Sequence, residues 1–506
     1  MGTTGRKIDW TTMLIPFAIV IMLMVVFMIA PEGSKTVVDT LRGFFGDTIG
    51  IYYPILAIGC VICSLYIALT PKYGNVRLGN IDKPLYSNFK WGTMIFTSTM
   101  AADIMFYSLI EWALYGGEQH VQDLGGTQMW APTFTLFHWG PLAWGFYVIL
   151  AVCFAFMMHV RRRNRQRFSE ACRPILGNRV DGFWGKVIDD IAIFAIVCAT
   201  ATTFSLATPL LTKALGIVFG FEITTTVTIL VLLLICSVYT ITVLFGVTGI
   251  SRLAGICSYL FFAILLYFLF LGGETRYIIE TGFQSLGNMA QNFMGLITYM
   301  DPLRESGFAQ NWTVYYWAYW LVWCVATPFF IALISKGRTL RNVVYGSFGW
   351  GLAGTYMSFI ILGNYGLAQQ MKHGVDAIGF IGNGGEMYEA ILMIFDTLPL
   401  PWIALLLLII TMIAFYSTTL DGITYVSSSY SYKQISPEEE PSRKIRGFWS
   451  IMLILLPIAL LFAQNSLYSL QGVTIIAAFP VGILLILIVW SFFKDFINWS
   501  NENSSR

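Results

Sequence analysis

Long apolar segments recur along the whole chain, separated by shorter polar stretches. A bilayer core about 30 Å thick needs roughly 20 apolar residues for each helix that crosses it. By this measure the pattern predicts twelve membrane-spanning helices, near residues 10–30, 50–70, 91–116, 132–159, 187–207, 223–245, 253–272, 312–334, 343–365, 399–421, 447–464 and 473–493. We therefore expect an all-α integral membrane protein that contacts lipid over most of its surface.

Positive charge is distributed unevenly between the segments that join these helices. If the N-terminus is inside the cell, 24 of the 30 Lys and Arg residues fall in cytoplasmic segments and 6 fall outside. Such an excess is typical of cytoplasmic segments. We therefore predict a protein of the cytoplasmic (inner) membrane with both termini in the cytoplasm. The basic run at 161–167 is interpreted as part of this topology signal, with a lipid-binding or regulatory patch as the alternative.

Two external segments, 274–300 and 385–397, have the amphipathic pattern of helices that lie along a membrane surface. Five predicted helices lie on each side of the first of these segments, once the first two helices are set apart. Five plus five with opposite orientations is the pattern of an inverted repeat, as in many secondary transporters. The predicted regions are 1–90 with the first two helices, 91–272 as the first repeat, 273–311 as the external linker, 312–493 as the second repeat and 494–506 as a short cytoplasmic tail.

Composition narrows the class of protein. The 506 residues are 57% hydrophobic and 11% charged, whereas soluble domains carry about 25% charged residues. A net charge of +2 is too balanced for a nucleic-acid partner. The four His residues form no HExxH motif, no pair of metal ligands and no nucleophile motif, so we expect neither an enzyme nor a bound cofactor, apart from a coupling ion.

Ionisable side chains inside apolar segments indicate function, because the bilayer penalises them. Asp103 lies in the third predicted helix, within TSTMAADIMFYSLIEW. We interpret it as a coupling carboxylate or a cation-attracting group, with a buried structural hydrogen bond as the alternative. For Glu111, two turns later, a structural pairing and a role in transport are equally good interpretations. Asp421 lies near the end of the tenth helix, which favours a helix-end hydrogen bond.

Two aromatic clusters are not explained by interfacial belts. The fourth predicted helix contains FHWGPLAWGFY, in which Pro141 interrupts the helix. The eighth contains WTVYYWAYWLVW, in which four aromatic residues are spaced to share one helix face: Trp312, Tyr316, Trp320 and Trp323. Ring faces suit a quaternary ammonium group, which cannot donate a hydrogen bond but is attracted to aromatic rings. Ordinary packing of aromatic side chains is the alternative.

These segments resemble the betaine/choline/carnitine transporter (BCCT) family. FHWGPLAWGFY, and WTVYYWAYW followed by ISKGRTLR, resemble its two signature regions, and MFYSLIEW resembles a further one. The resemblance extends over the whole chain. It implies a LeuT-type fold with two extra N-terminal helices, a homotrimer, and a secondary transporter, symporter or antiporter, for a small trimethylammonium compound.

The resemblance also implies roles for individual residues. The aromatic box for the trimethylammonium group would consist of Trp139, Trp144, Tyr147 and Trp320, with Tyr316 and Trp323 along the substrate pathway. Tyr319 stands where family members often have Trp, which makes the box more polar. A sodium site like that of sodium-coupled members would use the hydroxyls of Thr418 and Thr419 and carbonyls around Thr97, Met100 and Phe415. The two hydroxyls can equally bond back to their own helix.

Coupling and substrate stay open at this point. Cys257 stands where sodium-independent exchangers of the family have an Arg, which argues against their mechanism. Asp103 matches an aspartate of proton-coupled choline transporters, and TSTMAAD replaces the glycine-rich stretch of betaine symporters. Choline, glycine betaine, carnitine-type compounds and trimethylamine N-oxide with trimethylamine are the candidate substrates. The short stretch after the last helix lacks the basic tail of osmosensing members, so we do not expect osmotic regulation of that kind.

Two alternatives to coupled transport follow. One is precursor/product exchange without a coupling ion. The other is a cation channel, which needs a polar pore or a filter motif and would be blocked by a closed aromatic box.

Overall fold

A computed structural model of the chain describes residues 7–98, 101–163, 165–244, 247–435, 439–462 and 467–504. Helices account for nearly all of its regular structure, and within these ranges β-pairing is limited to the isolated bridges between Ile8 and Tyr432 and between Arg77 and Thr339. The all-α class predicted from the apolar pattern is therefore confirmed for the described residues.

The α-helices of the N-terminal half are α1 (Trp10–Ile29), α2 (Pro31–Arg42), α3 (Tyr52–Leu69), α4 (Pro71–Gly74), α5 (Asn88–Thr97), α6 (Ala102–Gly116), α7 (Gln119–Leu124), α8 (Thr127–His138), α9 (Pro141–Ala155), α10 (Phe168–Ala171), α11 (Arg173–Leu176) and α12 (Phe183–Phe219). Those of the C-terminal half are α13 (Thr225–Leu244), α14 (Val247–Leu266), α15 (Thr275–Thr298), α16 (Val314–Trp323), α17 (Thr327–Ile334), α18 (Leu340–Ser358), α19 (Asn364–Lys372), α20 (Ala377–Gly382), α21 (Met387–Phe395), α22 (Pro401–Tyr430), α23 (Arg443–Phe462) and α24 (Leu467–Ser504). Several end or begin in a π-helical turn, at Gly43–Thr48, Phe156–Val160, Tyr267–Leu271, Ala309–Thr313 and Phe359–Gly363.

Each predicted span coincides with one or more of these helices. In the described part of the chain, six helices are long and apolar enough to cross a membrane, and three bent pairs raise this number to nine. The protein is thus a multi-pass membrane protein, while the count of twelve stays a prediction. Helices α12, α22 and α24 are longer than predicted, with 37, 30 and 38 residues, and each continues beyond the apolar stretch from which it was predicted. The predicted tail 494–506 is largely the end of α24.

Two of the bent pairs occupy the first span of each predicted repeat. Helices α5 and α6 meet at 66°, and the segment Ala309–Trp323 meets α17 at 52°. The second bend precedes Pro328, which has no N–H to donate to the preceding turn and is well placed at a helix start. The first has no such signal, since STMAA at 98–102 contains neither Pro nor Gly. Hydropathy treats each pair as one straight segment, and the structure corrects this.

Helix α15 corresponds to the predicted external amphipathic segment. It turns by 110° from Gly255–Leu271 and packs against α8 and α19. Ile278, Thr281 and Ser285 are buried on its inner face, whereas Phe283 is exposed on the opposite face. This two-sided pattern is that of a helix lying on the bundle with one face outward.

Ion pairs fasten the basic segment after α9 to its neighbours. Arg161 and Arg163 pair with Asp495 of α24 at 3.2 and 2.7 Å. Arg173 and Arg165 pair with Asp181, and hydrogen bonds from Arg173 lower the pKa of Asp181 to about 2. These guanidinium groups are therefore engaged by protein carboxylates, which disfavours the lipid-patch interpretation of this run.

Candidate substrate site

A cavity of about 370 Å³ lies where the two bends meet. Its wall includes Ala101 and Asp103 beside the first bend and Ala326 and Thr327 beside the second. Residues from α5, α9, α16, α17, α22 and α23 form most of the rest of the wall. Breaks in helices leave backbone N–H and C=O groups without helical partners. In membrane proteins such non-helical backbone is tolerated where it lines a cavity.

One end of the cavity is aromatic. Trp320 of α16 is its centre, with ring centroids of Tyr147, Trp139 and Trp144 at 4.8, 5.6 and 5.9 Å. Trp139 follows the last residue of α8, and Pro141 begins α9, so the break between these helices lets Trp139 and Tyr147 approach the same ring. Such a group of rings can surround an alkylammonium ion by cation–π attraction.

The structure separates the seven predicted aromatic residues into two sets. The residues that line the cavity are Trp139, Tyr147, Tyr319, Trp320 and Trp323. Trp144 is fully buried behind Trp320, with its ring against Gly351 of α18. Tyr316 lies beyond Trp139, with its ring stacked on His138 at 5.0 Å. The single aromatic face predicted for Trp312 to Trp323 is thus divided between two environments.

Asp103 lies in the first turn of α6, immediately after the bend, and lines the cavity. The Tyr319 hydroxyl donates a hydrogen bond to Oδ2 of Asp103. Oδ1 has no hydrogen-bond partner among the described residues, although Asp103 is only 4% exposed. The helix N-terminus favours a negative charge at this position. We name Asp103 with the lining rings Trp139, Tyr147, Tyr319 and Trp320 the cavity cluster.

A second buried carboxylate, Glu111, lies two turns further along α6. The indole N–H of Trp139 donates to its Oε2 at 2.7 Å, and the Tyr115 hydroxyl donates to its Oε1. His138 continues the network, with Nδ1 at 2.7 Å from the Tyr115 hydroxyl and Nε2 at 3.0 Å from the Thr313 hydroxyl. Glu111, with the surrounding rings of Tyr115, His138, Trp312 and Tyr316, is named the packed cluster.

Three of the predicted sodium ligands line the same cavity, and the hydroxyls of two of them bond to their own helices. Thr97, Thr418 and Thr419 line the cavity, and Met100 lies outside the described residues. The Thr97 hydroxyl donates to the carbonyl of Thr93 at 2.9 Å, and that of Thr418 donates to the carbonyl of Phe415 at 3.1 Å. An ion would have to compete with these bonds, while the oxygen donors present suit a hard cation such as sodium.

The other end of the cavity is charged. Arg446 of α23 forms an ion pair with Asp421 of α22 at 2.9 Å and lies 3.9 Å from Glu440. The helix-end bond expected for Asp421 is thus an ion pair between helices. The acids that line the cavity in the described residues are Asp103, Asp421 and Glu440, against one base, Arg446. This excess of negative charge favours the entry of cations.

Sequence reasoning missed several residues that contribute to this arrangement. The hydroxyl oxygen of Thr203 lies 2.6 Å from that of Tyr319. Thr203, Arg446 and Glu440 carry no signal in the sequence, because their places follow from the packing of distant helices. Glu111 carried one, as an ionisable residue inside an apolar segment, but its bond to Trp139 could not be read from spacing.

Comparison with known proteins gives the class. The sequence profile of the betaine/carnitine/choline family of transporters, BCCT, matches residues 11–501. The chain is 28% identical over 494 residues to the probable glycine betaine transporter of Desulfitobacterium hafniense (strain Y51), which covers 96% of this chain and 97% of that protein. It is 27% identical over 454 residues to the uncharacterized transporter YeaV of Escherichia coli (strain K12), covering 89% and 92%.

The helical bundle, its apolar spans and these relatives define a multi-pass membrane transporter, which is not an enzyme. Because the profile covers nearly the whole length, the chain belongs to the BCCT family. The resemblance inferred from FHWGPLAWGFY and WTVYYWAYW is confirmed.

Proposed function

We propose that this protein is a secondary active transporter for a small trimethylammonium compound, with choline as the leading candidate. The observation that carries the proposal is the cavity cluster, in which aromatic rings and a buried carboxylate line the same cavity. Rings alone can hold the ammonium head of any candidate substrate. Choice among the candidates therefore depends on the charges that surround it.

Charge favours a substrate that is a net cation. Glycine betaine and carnitine carry their own carboxylate, which Asp103, Asp421 and Glu440 would repel, with Arg446 as the one base on the wall in the described residues. Choline carries no acid group. The relative from Desulfitobacterium hafniense is named as a probable glycine betaine transporter, and at 28% identity a different substrate within the same chemical class is compatible with that likeness.

Coupling to sodium, to protons or to both is the finer part of the proposal. Thr418 and Thr419 supply oxygens beside the cavity, and Asp103 is a protonatable group on its wall. Cys257 lies with Sγ at 3.9 Å from the Thr418 hydroxyl, so the position that carries an Arg in sodium-independent exchangers holds a neutral side chain next to the proposed ion site.

The proposed architecture is the LeuT-type arrangement of two inverted five-helix repeats after two extra helices, assembled as a homotrimer in the cytoplasmic membrane, with both termini in the cytoplasm. The bends in the first span of each repeat support it. With this orientation the charged end of the cavity, at Asp421 and Arg446, faces the cytoplasm, so we propose that the conformation described is inward-facing.

Uptake of labelled choline, glycine betaine and carnitine into proteoliposomes, with imposed sodium and proton gradients, tests the proposal. We expect accumulation of choline above the external concentration when a gradient is applied. Accumulation driven only by preloaded substrate would favour ion-free exchange. Ion current without solute accumulation would indicate a channel, and no uptake of any trimethylammonium compound would contradict the proposed function.

A further inference from the structure

The indole groups of the three tryptophans that line the cavity differ in their hydrogen bonding. The indole N–H of Trp139 donates to Oε2 of Glu111 at 2.7 Å. Nε1 of Trp320 and Nε1 of Trp323 have no hydrogen-bond partner in the part of the chain that the structure describes. The edge of the Trp139 ring is therefore fixed by a directional polar contact, whereas the other two rings are held by packing.

The backbone at Trp139 explains why this ring needs such a contact. A helix restricts the direction of a long side chain, as it does for Trp320 inside α16. Trp139 lies instead in the break between α8 and α9, where Gly140 has an extended backbone. The Thr355 hydroxyl donates to the carbonyl of Trp139 at 3.1 Å, which holds the backbone but not the ring. The orientation of the ring thus depends on contacts of the side chain.

Glu111 is itself held by a chain of hydrogen bonds. The Tyr115 hydroxyl donates to its Oε1. Because this proton goes to Glu111, the Tyr115 oxygen accepts from Nδ1 of His138, and Nε2 of His138 can then accept from the Thr313 hydroxyl. None of these four residues belongs to the cavity wall in the described residues. Any effect that they have on a ligand must therefore pass through Trp139.

We propose that Glu111 is a positioning residue for substrate binding, which acts through the indole N–H of Trp139 to fix the plane of that ring beside the ammonium head. The inference rests on the proposed function and deepens it. Cation–π attraction requires the cation to lie over the face of the ring. Without the acceptor the ring has more orientations, and binding must then order it, which lowers the affinity.

Two variants of Glu111 separate the hydrogen bond from the rest of the side chain. Glu111→Leu removes the acceptor, whereas Glu111→Gln keeps an oxygen that can accept from Trp139. Choline binding to the purified full-length protein is measured by isothermal titration calorimetry, which does not depend on tryptophan fluorescence. We expect Glu111→Leu to weaken binding about fivefold, as the ordering of one side chain implies, and Glu111→Gln to remain within about twofold of the unaltered protein.

Glu118→Leu is the matched control. Glu118 accepts from the indole N–H of Trp312, also at 2.7 Å, and neither residue lines the cavity. The substitution therefore breaks the same kind of bond with a ring that does not border the cavity. Choline affinity should be unchanged.

A second background shows whether Glu111 acts through the ring. Trp139→Phe keeps an aromatic ring but has no N–H to donate. In this background Glu111→Leu should cause no further loss of choline affinity, because the bond through which Glu111 acts is already absent. A purely structural role of Glu111, or a direct effect of its charge on the cation, would weaken binding in both backgrounds.

The outcomes distinguish the inference from the function on which it rests. Unchanged choline affinity in a folded Glu111→Leu protein, or an equal loss in the Trp139→Phe background, would overturn the positioning role while the transporter proposal stands. If Glu111→Leu does not fold, Tyr115→Phe removes the donor to Oε1 and should weaken binding about twofold, and unchanged affinity there would overturn the role. Failure of choline, glycine betaine and carnitine to bind the unaltered protein would overturn both.

Discussion

The cavity cluster and the packed cluster are built from the same kinds of side chain and differ in whether they border the cavity. Each has a carboxylate of α6 at its centre and at least one aromatic ring of α16 beside it. In the packed cluster, both oxygens of Glu111 accept hydrogen bonds. In the cavity cluster, Asp103 belongs to the cavity wall, where its Oδ2 accepts a hydrogen bond from Tyr319. Aromatic density therefore does not define the site, whereas contact of the carboxylate and the rings with a cavity does.

The largest expected effect is a loss of stability when the packed cluster is disrupted. Glu111→Leu leaves the Trp139 indole and the Tyr115 hydroxyl buried without their acceptor, which should lower the free energy of unfolding by about 2–4 kcal/mol. Thermal denaturation in detergent measures this. Asp103→Asn, which removes a charge that is only half paired, is the comparison and should change stability much less. Equal loss of stability in both variants would contradict the distinction.

The next effect concerns ligand affinity. Trp320→Leu removes the ring at the centre of the cavity cluster and should weaken choline binding by about 2 kcal/mol, or roughly thirtyfold. Trp312→Leu, in the packed cluster, provides the control and should leave the dissociation constant nearly unchanged. Fluorescence titration of both proteins measures the dissociation constant of choline. Unchanged affinity in a folded Trp320→Leu protein would remove Trp320 from the site.

A smaller effect is expected from hydroxyls of α22. Thr418 lines the cavity, whereas Thr411, two turns earlier, is buried away from it, and both hydroxyls bond back to their own helix. If Thr418 binds sodium, Thr418→Ala should reduce the sodium dependence of uptake about fivefold, the equivalent of about one hydrogen bond. Thr411→Ala should retain it. Equal uptake in sodium and potassium by the unaltered protein would exclude the ion site.

The smallest expected effect is on choline affinity, from a substitution of Trp144 behind the cavity. Trp144 contacts Trp320 and Gly351 but does not line the cavity. Trp144→Phe keeps an aromatic ring there, so choline affinity should fall only about twofold. A loss as large as that of Trp320→Leu would mean that Trp144 contacts the ligand directly, as the resemblance to the family implies.

Hydrophobic pattern and aromatic motifs predicted a large part of this molecule. The apolar segments correspond to helices, because span length is set by the bilayer. The resemblance to the BCCT family groups Trp139, Trp144, Tyr147 and Trp320, whose rings lie together in the structure, and their role in binding stays a prediction. The bend before Asp103 could not be predicted, since no Pro or Gly lies there.

Hydrogen bonds between residues far apart in sequence could not be predicted either. Tyr319 and Asp103 are 216 positions apart in sequence, as the hydrogen bond between them records, and Glu111 reaches Trp139 across 28. A single sequence contains no measure of such distances. The resemblance to the family implies that both Trp144 and Tyr147 belong to the box, but Tyr147 lines the cavity whereas Trp144 lies against Gly351 of α18.

The packed cluster has a consequence for the speed of the proposed transport cycle. If the cavity opens to the cytoplasm in this conformation, entry from the other side requires the rings around Glu111 to separate and the Trp312 indole to leave Glu118, to which it donates at 2.7 Å. Several hydrogen bonds must break together before water can replace them. Turnover should therefore rise steeply with temperature, with a high activation enthalpy, while equilibrium binding to the cavity changes little.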